Sequence, residues 1–303
     1  MRTLLILFAC AFPFTLSYSQ QDAQFTQYMY NMANINPAYA GSRGLMSIFG
    51  LYRTQWVGVD GAPTTSTFSI NTPLENSRLG LGLSIINDRI GPTKENAISA
   101  DLSYTVPTSE IFKLSFGVKA TANFFNLDPN KLNPEVSGDE NFQDFNNKVK
   151  SNFGVGLYLH SNKAYIGLSV PMVLQNERYN NDDLAIYKEK ITYYLSGGYV
   201  FDLSSDLKFK PAFLTKIVQG APLQFDLSGN FLFYDKFGLG GSYRWSSGFS
   251  ALAGFQLTDG LYIGYGYDTE TTSLGNYNSG SHEIFLRFEL FKKRNKVITP
   301  RFF

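Results

Sequence analysis

Short stretches in which apolar and polar residues alternate recur from Gly44 to Phe291, and this period constrains the fold more than any other feature. From Glu283 to Leu290, isoleucine, leucine and phenylalanine occupy every second position, and two glutamates and an arginine lie between them. Successive side chains of a strand point to opposite faces. One face is therefore apolar and the other carries charge, which predicts a transmembrane β-barrel with a wet or plugged interior. In a wet interior, the inward-facing Phe285 would tolerate an arginine.

The spacing of these stretches predicts a single all-β domain at 44–291, a barrel of about fourteen antiparallel strands. Every second joint is tight, and most of the others are longer, above all 126–148, 172–189 and 270–280. Short turns at one end and an even strand number place both termini in the periplasm. A soluble all-β repeat protein is the less favoured alternative. The predicted strands are 44–54, 63–73, 79–88, 95–106, 111–125, 149–160, 163–171, 190–202, 206–217, 222–234, 236–245, 248–258, 260–269 and 281–291.

The two ends of the chain differ from the repeating region. Residues 1–19 combine a basic start, an apolar run and small residues, as in a cleaved secretory signal peptide. Residues 20–43 lack a strand period and are expected to plug the barrel or to lie in the periplasm. Residues 292–303 are expected to form a periplasmic tail. The only cysteine is Cys10, so the expected mature chain has no disulfide and no thiol chemistry.

The composition of the chain limits the classes of partner that are expected. The chain has 26 basic and 25 acidic residues, so no field of one sign favours nucleic acid. Aromatic residues make up 16% of the chain, which suits interfacial girdles around a barrel. After the first segment no apolar run approaches the ~18 residues of a membrane helix. The expected environment of the strands is outer-membrane lipid.

No motif in the sequence predicts catalysis, a cofactor or a metal site. His160 and His282 are the only histidines and are far apart in sequence. The acidic groups at 139–144 and 180–183 have oxygen ligands but not the spacing of a known calcium loop. The sequence thus predicts no catalytic residue, no cofactor and no metal, although spacing alone leaves a barrel enzyme as a third reading.

Several motifs together resemble a known family. Residues 24–29 read QFTQYM and residues 36–41 read NPAYAG. Residues 55–58 read QWVG, and GAPTT follows at 61–65. NDRIG, SHEI and a final PRFF come later. This combination resembles the PorP/SprF family of type IX secretion system membrane proteins of the Bacteroidetes.

The resemblance implies a non-enzymatic outer-membrane protein that assists secretion or surface anchoring of a cargo. It implies a barrel like those of long-chain fatty-acid transporters, with fourteen strands and an N-terminal hatch. The implied partners are a secreted protein with a C-terminal targeting domain, such as a gliding-motility adhesin, and other type IX secretion components. The alternative is a passive channel or hydrophobic-solute transporter.

Two sets of residues are candidates for function. Aromatic residues in the long loops and near the rim are candidate partner contacts: Trp56, Phe142, Phe145, Tyr179 and Tyr187. Residues of the family motifs are candidates for structural roles such as fixed turns: Asn36, Pro37, Tyr39, Gly41, Gln55 and Pro63. For Trp56 and Gln55 a structural role, including a girdle position for Trp56, is the alternative to partner contact. Mobile lids are the alternative for the two longest loops.

Overall fold

Fifteen strand segments form one antiparallel sheet in the computed structural model, which describes residues 28–128, 131, 145–176 and 189–290, without the side chains of 145–148. The expected signal peptide and the expected C-terminal tail lie outside the described residues. The segments are β1 Met46–Thr54, β2 Thr64–Pro73, β3 Leu79–Ile90, β4 Thr93–Pro107, β5 Lys113–Leu127, β6 Phe145–His160, β7 Ala164–Val170, β8 Thr192–Tyr199, β9 Phe201–Asp202, β10 Leu207–Val218, β11 Gln224–Phe233, β12 Phe237–Arg244, β13 Gly248–Gln256, β14 Leu261–Glu270 and β15 Ser281–Leu290.

The sheet closes on itself because β1 pairs with β15, and β10 pairs with both β8 and β11. β8 and β9 pair with β10 in one continuous register, so they are two parts of a single barrel strand. Fifteen segments therefore make fourteen strands, as predicted. The interruption is at Val200, opposite Lys210 and next to Pro211, which has no backbone N–H to give to a neighbouring strand. The prediction of an unbroken strand over 190–202 missed this break.

The tight joints after every second strand are confirmed. Asn76, Tyr234 and Asp235 adopt positive φ angles of 52°, 53° and 53° in two of them. The β3–β4 joint on the other end is also tight, because both strands run further than predicted and leave only residues 91–92 between them. β6 is likewise longer than predicted, while β5 keeps its predicted length and is shifted by two residues.

The outward face carries a continuous apolar belt. On β3 to β6, one row of directly opposed residues contains Leu81, Leu102, Val118 and Val155, and all four are exposed. The belt ends where outward positions turn polar, at the hydrogen-bonded pair Asn87 and Asn96. Exposed apolar rows that encircle a closed barrel are what acyl chains require.

The inside of the barrel holds the N-terminal segment, defined here as residues 28–45. It begins with a 3₁₀ turn at Tyr28–Tyr30, continues as helix α1 over Met32–Ile35 and forms a second 3₁₀ turn at Pro37–Tyr39. Nearly all of its residues between 28 and 41 are buried. Its contacts reach wall strands on opposite sides of the barrel, from β2 to β7 and from β10 to β15. Among the described residues, no helix is long and apolar enough to cross a bilayer.

Candidate functional site

The N-terminal segment is held by polar side chains of the barrel wall. Lys119 Nζ donates to the carbonyl oxygen of Ala33 at 3.2 Å. Ser169 Oγ donates to the carbonyl of Ile35 at 2.9 Å, and Ser103 Oγ donates to that of Ala40 at 2.7 Å. These carbonyls belong to a segment without a sheet ladder of its own, so the wall supplies the partners that burial demands.

Two wall glycines let the segment approach the strands closely. An added Cβ at Gly117 would lie 2.1 Å from the backbone nitrogen of Ala38, and one at Gly156 would lie 2.1 Å from Oδ1 of Asn36. Both distances are far below any real contact, so a side chain at either position displaces the segment. Asn36 also donates from Nδ2 to the carbonyl of Leu157 at 2.9 Å. The segment and this part of the wall therefore fit as one unit.

The family-motif residues of the segment have structural positions. The side chain of Asn36 accepts a hydrogen bond from the Ala38 N–H and caps the turn that Pro37 begins. Tyr39 is buried edge-to-face against Tyr158, with ring centroids 5.7 Å apart. Gly41 has a φ of +71°, and a Cβ there would lie 2.8 Å from the Cα of Gly80. A glycine is needed at Gly41 for both reasons.

On the opposite wall the segment packs against aromatic rings. The Tyr30 ring lies 4.6 Å from that of Phe285 and 5.8 Å from that of Tyr262, centroid to centroid. The Arg287 guanidinium lies over the Tyr262 ring at 4.8 Å. Burial raises the pKa of the Tyr30 hydroxyl well above its usual value, so this ring stays neutral. The interior is packed rather than wet at Phe285, and the expected tolerance of an arginine there no longer holds.

Several charged residues on the inner face form ion pairs. The Arg53 guanidinium contacts the carboxylates of Asp268 at 2.5 Å and Glu283 at 3.3 Å. Arg244 binds Asp226 through two nitrogens, at 2.9 and 3.1 Å. Other inner ion pairs join Lys119 to Asp101 and Arg43 of the segment to Glu289. The charges in these pairs are thus neutralised inside the barrel, which lowers the cost of burying them.

The rim residues Gln55, Trp56 and Pro63 lie in the loop between β1 and β2. The Gln55 N–H donates to the Pro63 carbonyl at 2.9 Å and closes the base of the loop. Trp56 has a φ of 47°, and its Nε1 donates to the Glu270 carboxylate at 3.2 Å. The structure therefore gives Trp56 a partner in β14, while its half-buried ring keeps some exposed surface.

The remaining candidate contacts are only partly described. Phe142, Tyr179 and Tyr187 lie outside the described residues. Phe145, expected in a loop, is the first residue of β6, because β5 and β6 pair four residues beyond the predicted limit of β6. The sequence reasoning missed the wall residues that hold the segment, such as Lys119. A lysine at an inward position of a strand was the available signal.

The histidines are part of hydrogen-bonded walls. His160 Nε2 lies 3.4 Å from Ser115 Oγ, and Ser115 is fully buried and also bonded to Thr105. A substrate has no access to a hydroxyl in that position. His282 Nδ1 lies 2.5 Å from the Tyr265 hydroxyl on the outward face. No group of three or more potential metal ligands occurs within the described part of the chain.

The apolar belt, the closed sheet and the packed interior define an integral membrane β-barrel that contains its own N-terminal segment. The sequence profile of the type IX secretion system membrane proteins PorP/SprF matches residues 17–288. The chain therefore belongs to the PorP/SprF family, as its motifs indicated. No curated protein matches it in sequence.

Solved structures with a similar sheet include porins. The KdgM porin is 9% identical, with a TM-score of 0.39, over 81% of this chain and 99% of the porin chain. A mutant of the Rh. blastica porin is 10% identical, with a TM-score of 0.35, over the same shares of the two chains.

Proposed function

We propose that this protein is a non-enzymatic outer-membrane component of the type IX secretion system that assists the secretion or surface anchoring of a cargo protein. Membership of the family supports a role in that system. The observation that carries the proposal is the interior of the barrel, which is occupied by residues 28–41. A barrel filled in this way serves as a membrane-fixed scaffold for partners.

In this proposal the N-terminal segment is a plug, and both termini lie in the periplasm. The rim at the other end then faces the cell surface. β5 and β6 include the two ends of the predicted loop 126–148 and leave residues 128–144 between them. Residues 128–144 and 172–189 contribute partner contacts there, and Trp56 adds a half-exposed ring nearby. Loops outside a rigid scaffold are where binding residues usually collect. The proposed cargo is a secreted protein with a C-terminal targeting domain, such as a gliding adhesin.

The experiment trims each long loop to a short Gly-Ser turn in the full-length protein. A matched control trims the tight turn at 245–247, which replaces surface residues without removing a long loop. Heat-modifiable gel mobility reports folding, surface proteomics reports cargo display and a small-solute assay reports permeability. The proposal expects folded barrels in all strains, and loss of one or a few surface proteins after trimming of a long loop only.

The alternative function, a passive channel or hydrophobic-solute transporter, gives the opposite pattern in the same strains. Solute uptake changes after loop trimming, and the set of surface proteins does not. That result overturns the secretion role. A loss of surface proteins with unchanged uptake supports it.

A further inference from the structure

A single row of outward-facing side chains lies just beyond the apolar belt on five neighbouring strands. Each residue is directly opposite the next in the ladders from β15 through β1, β2 and β3 to β4. The row is at the rim opposite the tight turns. We call it the outer polar row, and it consists of His282, Thr54, Thr64, Arg89 and Lys94.

The position of the outer polar row relative to the belt follows from the register. Two residues further into the membrane, the corresponding outward positions include Tyr52, Ser66 and Asn87. Two residues deeper again, the row is apolar and includes Leu286 and Phe68, both exposed. One step of two residues is about 6.6 Å along a strand. The outer polar row thus lies beyond the apolar belt on these strands, on the side where the belt meets lipid headgroups.

The charge of the row is unbalanced. Arg89 and Lys94 are exposed and directly opposite each other, and like charges in that arrangement repel. Within the described residues neither of them forms an ion pair. At the tight-turn end, the exposed Lys163 pairs with Asp202 and the half-buried Lys208 pairs with Asp235.

The acidic residues of β3 and β4 do not lie on the outward face, so they do not neutralise the positive charge of Arg89 and Lys94 there. Asp88 accepts a hydrogen bond from Thr65, which is buried on the inner face, and Glu95 is directly opposite Asp88. On the outward face the neighbouring groups are hydroxyls and an imidazole. All of these side chains can donate hydrogen bonds to an anion.

We propose that the outer polar row binds the phosphate group of a membrane lipid headgroup and so fixes the depth of this side of the barrel. Two cations flanked by hydroxyl donors match a phosphate in charge and in hydrogen bonding. The source is a lipid rather than free phosphate, because the row continues directly from the belt that contacts acyl chains. The inference is independent of the secretion role, since it depends only on the position of the belt.

The test uses purified full-length protein in detergent and native mass spectrometry with added lipid. The lipids are a lipid A that carries phosphate and the same lipid A after removal of its phosphates. The test variant is Arg89→Gln with Lys94→Gln. The matched control is Arg78→Gln with Lys113→Gln, which removes two exposed cations from the tight-turn end. Heat-modifiable mobility confirms that both variants are folded.

The expected result is a loss of about tenfold or more in binding of phosphorylated lipid by the test variant, given the usual contribution of two basic residues near an anionic surface. The control variant keeps wild-type binding, and dephosphorylated lipid binds all three proteins equally. Unchanged binding by the test variant overturns the proposal. So does an equal loss in both variants, or competition by millimolar inorganic phosphate that removes binding of both lipids alike. The secretion role stands or falls separately, because no secretion partner is present.

Discussion

The two faces of β15 differ in both polarity and exposure: the inner face is mostly charged and buried, and the outer face is apolar and exposed. Its inner residues Glu283, Phe285, Arg287 and Glu289 are almost fully buried, although three of them are charged. Its outer side chains, including Leu286, are apolar and exposed. In a water-soluble protein this arrangement would be unstable. It is stable here because lipid covers the outer face, while ion pairs and the N-terminal segment satisfy the inner one.

The largest expected effect tests the inner face. Arg53→Ala removes the partner of two carboxylates, one of which, in Glu283, is 0% exposed. An uncompensated buried charge of this kind typically costs about 3–5 kcal/mol. Urea unfolding of the barrel, followed by gel mobility, measures the loss. The control Lys163→Ala removes an exposed ion pair and is expected to cost far less, because water and salt screen that pair. Equal losses of unfolding free energy in the two variants would contradict an interior in which buried charges form ion pairs.

The next effect tests the outer face. Leu286→Arg places a charge in the apolar belt and is expected to destabilise the barrel by about 2–4 kcal/mol. Thr64→Arg places the same side chain beyond the belt, where the cost is about 0–1 kcal/mol. Unfolding of both variants in lipid vesicles gives the comparison. A larger destabilisation by Thr64→Arg than by Leu286→Arg would show that the belt is placed at the wrong depth.

A smaller effect tests the contact between the wall and the segment. Gly117→Val forces a side chain against Ala38, and overpacking of this kind costs about 1–3 kcal/mol. The displaced segment should also expose a reporter cysteine at Ala38 to a water-soluble maleimide. Gly50→Val is the matched control, because a Cβ at Gly50 meets nothing within 4 Å. Labelling that is the same in both variants would mean that Gly117 does not hold the segment in place.

The outer face was predictable from the sequence to a greater degree than the inner one. Alternation in β15 placed Leu286 outward correctly, because a strand has a strict period of two. The break at Val200 was not predictable, because Pro211 lies in the unbroken neighbouring strand β10 and the sequence does not give the register between the two strands. The pairing of Gly117 with Ala38 was not predictable, since the two are far apart in sequence and a glycine does not reveal what approaches it. The packing of Phe285 was not predictable for the same reason, because its partner Tyr30 is far away in sequence.

The most direct test of the account is the conductance of the wild-type protein in a planar bilayer. Because residues 28–41 occupy the inside of the barrel, the intact protein should show no steady ion current. A variant without residues 20–43 should insert and conduct. A steady porin-like current through the intact protein would contradict the packed interior and, with it, the scaffold function.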